Sequence, residues 1–417
     1  MSPRVRFAPS PTGSLHLGTA RTAVVNWLFA RSQGGELVLR FDDTDRERSS
    51  EQSAEELLAG LEWLGIDWDG TPVRQSERQS HYEAVLGKLA EAELTYVDDD
   101  ATYLRVPKDL PLSFDDLLRG AIEFPPGSRE DFVVRRSDGS FTYNFATAVD
   151  DSELGMTHVI RGEDHISNTP LQRLVIEGMG ETPPEYLHLP LLLEADGSKL
   201  SKRHGAVSIA EYRDGGYLPE ALLNYLALVS YTPPEELHSP AKLVESFEID
   251  KLHRSSARFD LDKLRWLSGQ HIRGLSVEHF GARVGSFLKK SQQPELVLTA
   301  LQTAGDTLVE CAAAESLFTG DAEPDDSARE ALHADGAERA IGALLGLVGD
   351  SRNLDLEVAS MLLQSLRGGL TAAGIKPRCA LRAIRAALTG RTSGPELIYF
   401  IAALPREEIV RRLRRYV

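Results

Sequence analysis

Two short segments carry the residues best suited to chemistry: His16-Leu17-Gly18-Thr19 and Lys199-Leu200-Ser201-Lys202-Arg203. The first puts an imidazole and a glycine at the turn entering a helix, where free backbone amides favour a phosphate and Gly18 lets a nucleotide approach closely. The second puts two ammonium groups on a polar loop introduced by Asp196-Gly197, able to swing toward one phosphate chain as point charges. Alone, each reads as an ordinary turn histidine or a solvated basic loop. Together and in this order, they look like two halves of an ATP site that activates a carboxylic acid as its adenylate. That chemistry requires positive charge and hydrogen-bond donors around a reacting phosphate.

The elements that must position these segments can be read from the pattern. Residues 5–8 predict a strand, cut off by Pro9-Ser10-Pro11-Thr12-Gly13, whose prolines forbid a helix and force a turn. After Gly18 a helical pattern runs to about Ser32, and Gly34-Gly35 ends it. Residues 36–41 predict a strand. Residues 51–64 predict a helix with Leu57, Leu58, Leu61 and Leu64 on one face. Strands are predicted again over 156–161 and 186–193, separated by a helix beginning near Thr169-Pro170. This alternation argues for a parallel, doubly wound sheet, with ligands beyond the carboxyl ends of its strands.

Residues 93–136 break the alternation. Pro107, Pro111 and the loop-like Phe124-Pro125-Pro126-Gly127-Ser128 suggest an insertion that leaves the sheet and returns to it. Beyond Gly205 helical patterns dominate, as over 337–348, 354–368 and 407–416. The expected fold class is therefore α/β, a Rossmann-like parallel-sheet half followed by a mainly α-helical C-terminal half.

At 417 residues the chain is too long for one ordinary domain. No apolar run approaches membrane-spanning length, no signal peptide is visible, and no membrane partner is expected. Cys311 and Cys379 make neither a disulfide framework nor a zinc site, and fit a reducing cytoplasm. The net charge of −17 argues against a nucleic-acid partner, yet its distribution matters more. From Thr371 onward ten basic residues stand against three acidic ones, a local +7. This tail permits an RNA partner without establishing one.

A more specific signal lies in the flanks. The run Arg6-Phe7-Ala8-Pro9-Ser10-Pro11-Thr12-Gly13-Ser14-Leu15-His16-Leu17-Gly18-Thr19-Ala20-Arg21 resembles the opening of the bacterial glutamyl-tRNA synthetases, a family of class I aminoacyl-tRNA synthetases. So do Leu39-Arg40-Phe41-Asp42-Asp43-Thr44-Asp45-Arg46, Phe141-Thr142-Tyr143-Asn144-Phe145 and Val159-Ile160-Arg161-Gly162-Glu163-Asp164-His165. The likeness runs in order through most of the first 270 residues and returns weakly at Leu381-Arg382-Ala383-Ile384-Arg385.

The resemblance implies a glutamate–tRNA ligase whose substrates are ATP, with Mg²⁺ on its phosphates, L-glutamate and tRNA(Glu). It implies that His16, Thr19, Lys199 and Lys202 are catalytic, and that His16, Gly18, Asp164, Lys199, Leu200, Ser201, Lys202 and Arg203 bind ATP. Arg6, Phe7, Ala8, Ser10, Asp42, Tyr143, Thr147 and Arg161 would form the glutamate pocket, and no general base is needed. It further implies a monomer. The expected parts are a catalytic domain over 1–92 and 137–205, a shortened acceptor-binding insertion over 93–136, a stem-contact domain over 206–285 and a helical anticodon-binding region over 286–417.

Independently of the likeness, a substrate with two carboxylates suits guanidinium partners, which Arg6 and Arg161 supply at strand ends facing one crevice. Two positions depart from the family: Asp42 is one methylene shorter than its Glu, and Thr147 stands where Asn is familiar. The insertion has no cysteine, and His158, His165, His188 and His204 are scattered, so no metal site and no structural zinc are expected. Four other readings stay open here: a non-discriminating enzyme that also charges tRNA(Gln), a glutaminyl-tRNA synthetase, a tRNA-modifying glutamyl transferase, and an inactive RNA-binding paralogue.

Overall fold

A computed structural model describes residues 2–45, 49–194, 196–198, 208–290, 293–320, 323–351 and 354–417. The chain divides into two units, Met1–Asp214 with Pro219–Leu264, and Gly215–Leu218 with Arg265–Val417.

The first unit is built on parallel strands. β1 (Arg4–Phe7) pairs parallel with β2 (Glu36–Phe41), from Arg4 opposite Glu36 to Phe7 opposite Leu39, and β2 pairs parallel with β3 (Val73–Arg74). Between β1 and β2 runs α1 (Leu17–Ser32), buried nearly all round through Ala20, Val24, Val25, Leu28 and Phe29. A helix apolar on every side belongs in a core, and α1 packs on β1, β2 and later helices of the same unit. α2 (Glu51–Leu64) is instead amphipathic. Ser50 caps it, Leu57, Leu61 and Leu64 are buried, and Gly65 closes it at φ 76°. α3 (Gln79–Glu91) follows.

The segment read as an insertion, residues 93–136, is rich in strands. β4 (Thr95–Asp98), β5 (Ala101–Leu104) and β8 (Phe132–Arg135) form an antiparallel sheet, while β6 (Leu112–Asp116) and β7 (Gly120–Phe124) form a hairpin. Pro107, Pro111, Pro125 and Pro126 all fall between these strands, where a missing N–H costs no ladder bond. β6 then pairs parallel with β10, Tyr186 opposite Asp116.

After α4 (Tyr143–Glu153) come β9 (His158–Gly162), α5 (Thr169–Gly178) and β10 (Glu185–Leu189), with β9 and β10 parallel. The strand predicted over 186–193 is interrupted at Pro190 and resumes as β11 (Leu192–Leu193), which pairs with β12 (Ala257–Arg258). α6 (Ile209–Asp214), α7 (Pro219–Leu228) and α8 (Pro240–Ser246) complete the unit, with α7 and α8 packed on α1. Arg4 N–H donates to Thr157 Oγ1 (2.8 Å), and Thr157 N–H donates to Arg4 O (2.9 Å). These bonds bring β1 beside β9, the two strands from which the chain winds in opposite directions, so their carboxyl ends open a crevice.

The second unit is helical among its described residues. Helices Ala337–Asp350, Leu356–Ala372, Pro377–Thr389, Leu397–Ala403 and Arg406–Leu413 share one core. Ile341, Leu344 and Val348 line one face, and Leu363, Leu366 and Leu370 line another, at the spacing of adjacent helical turns. Pro377 starts its helix, and Gly390 at φ 67° ends it.

Candidate active site

His16 is the N-cap of α1. Its extended backbone (φ −104°, ψ 163°) turns the ring back so that Nδ1 accepts the Thr19 N–H at 3.4 Å. In a neutral ring the proton then sits on Nε2, which lies 2.8 Å from Thr19 Oγ1 and can donate. A Cβ on Gly18 would lie 3.5 Å from His16 Nδ1, in ordinary contact with the face of the ring. Of the first-turn amides, Thr19 N–H is held by this ring and Ala20 N–H donates to His16 O (2.8 Å).

A cavity of about 350 Å³ gathers at the ends of β1 and β9. It brings together Arg6, Phe7, Ala8, His16, Gly18, Thr19, Asp42, Tyr143, Arg161 and Asp164, ten of the residues singled out from sequence. Thr147 lies fully buried behind it, its Oγ1 donating to Asp42 Oδ2 at 3.5 Å. Ser10 is exposed and outside the lining. Lys199, Leu200, Ser201, Lys202 and Arg203 lie outside the described residues. The cavity also recruits residues the sequence reading missed, among them Arg21, Thr22, Gly162, His165, Pro190 and Leu191. A Cβ on Gly162 would crowd Asp164 Oδ1, the end of an exposed side chain that can turn away.

Beneath the cavity is a buried ionic network. Arg6 donates through Nε and Nη2 to the two oxygens of Asp151 (3.1 and 3.3 Å) and through Nη1 to Ile160 O (3.4 Å). Arg40, fully buried, holds Asp42 Oδ1 through Nε (2.7 Å) and Asp151 Oδ1 through Nη1 (2.6 Å). Asp150 accepts in turn from Gln75, Arg78 and Tyr82. Burial would raise the Asp151 carboxyl, but Arg6 and Arg40 together hold it below the usual carboxylate range. Arg6 and Asp42 therefore enter the site already paired, and an incoming charged group shares them. Neither Arg40 nor Asp151 was legible as a site residue, because the partners are 111 and 145 residues apart in sequence.

Arg161 differs. It is 5% exposed, donates through Nε to His188 Nε2 (3.3 Å) and through Nη2 to Thr169 Oγ1 (2.8 Å), and its Nη1 has no partner among the described residues. No carboxylate pairs with it among those residues, and burial with nearby Arg6 lowers its pKa. A buried guanidinium with an orphaned nitrogen on a cavity is a seat for an anion. Arg21 also ends at the cavity with Nη2 unpartnered, while its Nη1 donates to Pro190 O (2.6 Å). Burial lowers it to about 10. Tyr143 and His165 meet through the phenol oxygen and Nδ1 at 3.1 Å, and burial with Arg161 pushes His165 down to about 4.

In the second unit a cavity of about 970 Å³ is lined by Ser360, Gln364, Arg367, Arg378, Arg382 and Arg385, together with Glu396. The basic tail divides here. Arg412 is buried on the carbonyls of Leu317, Leu388 and Gly320, and Arg406 holds Val348 O and Gly349 O. Arg385 holds Gly394 O and Pro395 O. Arg367, Arg378 and Arg382 are exposed and form no ion pair among the described residues.

Parallel strands wound from a central crevice, a helix N-terminus at its mouth and buried cations on its floor define a nucleotide-binding α/β protein. Residues 3–103 and 102–266 match the family described as tRNA synthetases class I (E and Q), catalytic domain, and residues 277–417 match an anticodon binding domain. The chain belongs to the class I tRNA synthetases of the E and Q group. It is 44% identical to Glutamate–tRNA ligase 1 of Rubrobacter xylanophilus, covering 99% of this chain and 97% of that one. It is 38% identical to the Glutamate–tRNA ligase of Akkermansia muciniphila, covering 99% and 98%. Among solved structures, a glutamate tRNA ligase from Elizabethkingia meningosepticum in complex with its amino acid superposes with a TM-score of 0.82 at 26% identity, covering 100% and 99%.

Proposed function

We infer that this chain is a glutamate–tRNA ligase: it activates L-glutamate with ATP and passes the glutamyl group to the 3′-terminal adenosine of tRNA(Glu). Full-length relatives bearing that name support the reading. The observation that carries it is Arg161, a buried guanidinium on the cavity lining that has no acid and whose Nη1 has no partner among the described residues. A side-chain carboxylate completes it, and glutamine, which brings a neutral amide, leaves the buried charge uncompensated.

Class I tRNA synthetases take ATP as a substrate. In the reaction proposed, the glutamate α-carboxylate attacks the α-phosphate and pyrophosphate leaves. A hydroxyl of the terminal adenosine then attacks the adenylate carbonyl and AMP departs. Neither step needs a protein nucleophile; alignment and charge compensation suffice. His16, Gly18 and Thr19 are assigned to the phosphates, with His16 Nε2–H exchanging Thr19 Oγ1 for a phosphate oxygen when ATP binds. Asp164 faces the nucleotide, and Asp42 faces the substrate ammonium while Arg40 holds it in place. Lys199 and Lys202 are assigned to the departing pyrophosphate through the family resemblance.

Mg²⁺ belongs with the ATP phosphates in this reading. Among the described residues no three His, Cys, Asp or Glu side chains gather to hold a metal. Residues 93–136 contain neither cysteine nor histidine, the ligands a structural zinc prefers, and we read the insertion as zinc-free. We assign acceptor-end contact to 93–136, stem contact to 206–285 and anticodon contact to 286–417, where Arg367, Arg378 and Arg382 offer charge to a phosphate backbone. By the family resemblance we read the enzyme as a monomer that works in the cytoplasm. No described helix is long and apolar enough to cross a membrane.

Charging purified tRNA(Glu) and tRNA(Gln) with labelled glutamate or glutamine is the direct test. Glutamyl-tRNA(Glu) is the expected product, and its absence overturns the reading. Glutamate appearing on tRNA(Gln) as well would make the enzyme non-discriminating.

A further inference from the structure

Arg161 is held from behind by an imidazole, and that imidazole is held by the insertion. Asp116, the last residue of β6, is buried and accepts four N–H groups. Its Oδ1 takes the backbone N–H of Leu118 (3.0 Å) and Arg119 (2.9 Å), and its Oδ2 takes the backbone N–H (3.0 Å) and Nδ1 (2.7 Å) of His188. A carboxylate can only accept, so the His188 proton sits on Nδ1 and Nε2 presents a lone pair. That lone pair faces the Nε–H of Arg161 at 3.3 Å, with Thr169 Oγ1 at 3.1 Å. His188 is fully buried and its ring lies parallel to that of Tyr186, so it has little room to turn.

We propose that Asp116 and His188 are positioning residues for amino-acid selection: Asp116 fixes the His188 tautomer, and His188 Nε2 fixes the plane of Arg161 so that Nη1 meets the substrate's side-chain carboxylate. This rests on reading the cavity as the glutamate site, and extends it to a hairpin of the shortened insertion. The charged and titratable groups around the imidazole are Asp116 from β6, Arg119 from the following turn, Arg161 from β9, His165 from the turn after β9 and Tyr186 on its own strand. Burial, with Arg161 and against the Asp116 hydrogen bond, keeps His188 below the ordinary imidazole range, so the lone pair persists at neutral pH. The same turn supports the cavity wall. Arg119 donates to His188 O (3.3 Å) and pairs with Glu163, whose Oε1 accepts the Leu191 N–H (2.9 Å).

Two substitutions separate the two nitrogens. His188→Asn keeps a donor toward Asp116 and removes the acceptor at Arg161; His188→Gln keeps an acceptor near Nε2 and gives up the donor. In tRNA(Glu) charging by the full chain, with glutamate and ATP varied separately, the Asn variant should raise the glutamate KM about tenfold or more, as loss of a hydrogen bond to a charged group does. Its ATP KM should stay near the parent value, and the Gln variant should recover much of the glutamate KM. An Asn variant with the parent's glutamate KM, or both KM values rising together in both variants, overturns the proposal. A second measurement needs no variant: in the ¹⁵N spectrum of histidine-labelled parent protein, His188 should show the Nδ1–H tautomer, and an Nε2–H tautomer or an imidazolium overturns the proposal. A parent that charges no glutamate overturns the functional reading instead.

Discussion

Arg6, Arg21, Arg40 and Arg161 of the first unit are all buried, each oriented by hydrogen-bond acceptors, whereas Arg367, Arg378 and Arg382 of the second are exposed on an open cavity. A buried guanidinium has given up hydration and requires a partner in one place and one plane. It can therefore choose between a carboxylate and an amide. An exposed one keeps its water and gains by displacing counterions from a polyanion, with little regard for sequence. Selection of the small substrate and grip on the large one thus call for opposite surroundings of the same side chain. The net charge of −17 reports on neither.

The buried end of this contrast should give the largest effect. Arg161→Gln is expected to lower kcat/KM for glutamate about 10²–10³-fold, the loss seen when one member of a buried charge pair is removed. The ATP KM should change little, and an equal rise in both KM values would assign Arg161 to the fold instead. At the exposed end, Arg378→Ala with Arg382→Ala should weaken tRNA(Glu) binding and flatten its salt dependence. The slope of log K against log salt should fall by about 0.7–0.9 for each phosphate that is no longer neutralised. An unchanged slope would remove these arginines from the RNA-binding surface.

The smallest effect concerns how buried arginines act on a neighbour. Burial and Arg161 hold His165 at about 4 against an ordinary 6.5, so as pH falls the unfolded chain takes up this proton first. The contribution to stability is complete above about 6.5, is lost progressively toward about 4 and is flat below. Denaturant unfolding from pH 7 to 4 should therefore show the parent losing more stability than His165→Gln. Equal slopes would show that His165 does not feel the arginine.

Much of the first unit is legible in sequence because its signals are local. The prolines after β1, the capping Ser50 and the closing Gly65 mark element ends within a few residues. The strands inside the insertion cannot be seen in sequence because their signals are not local. β4 and β5 are joined by Asp99-Asp100, both at positive φ (46° and 61°), a turn usually announced by Asn-Gly or Asp-Gly. β6 finds its parallel partner 70 residues later, at Tyr186 opposite Asp116. The cavity shows the same division. Residues at strand ends, such as Arg6 and Arg161, can be found from alternation and motif. Arg40, Asp151 and His188 cannot, since only the folded chain shows that their side chains meet. The basic tail overstates the charge open to RNA for a related reason: Arg385, Arg406 and Arg412 tie down backbone carbonyls, a use that charge alone does not reveal.

His16 both closes α1 and faces the cavity, and α1 is among the most deeply buried helices of its unit. The donor's position is thereby inherited from the core: fraying of the first helical turn would release the Thr19 N–H and the imidazole in a single event. Heat or denaturant should thus displace this imidazole, the proposed phosphate donor, no earlier than it loosens the helix, and the register of the site is as durable as the packing of Val24 and Leu28 beneath it.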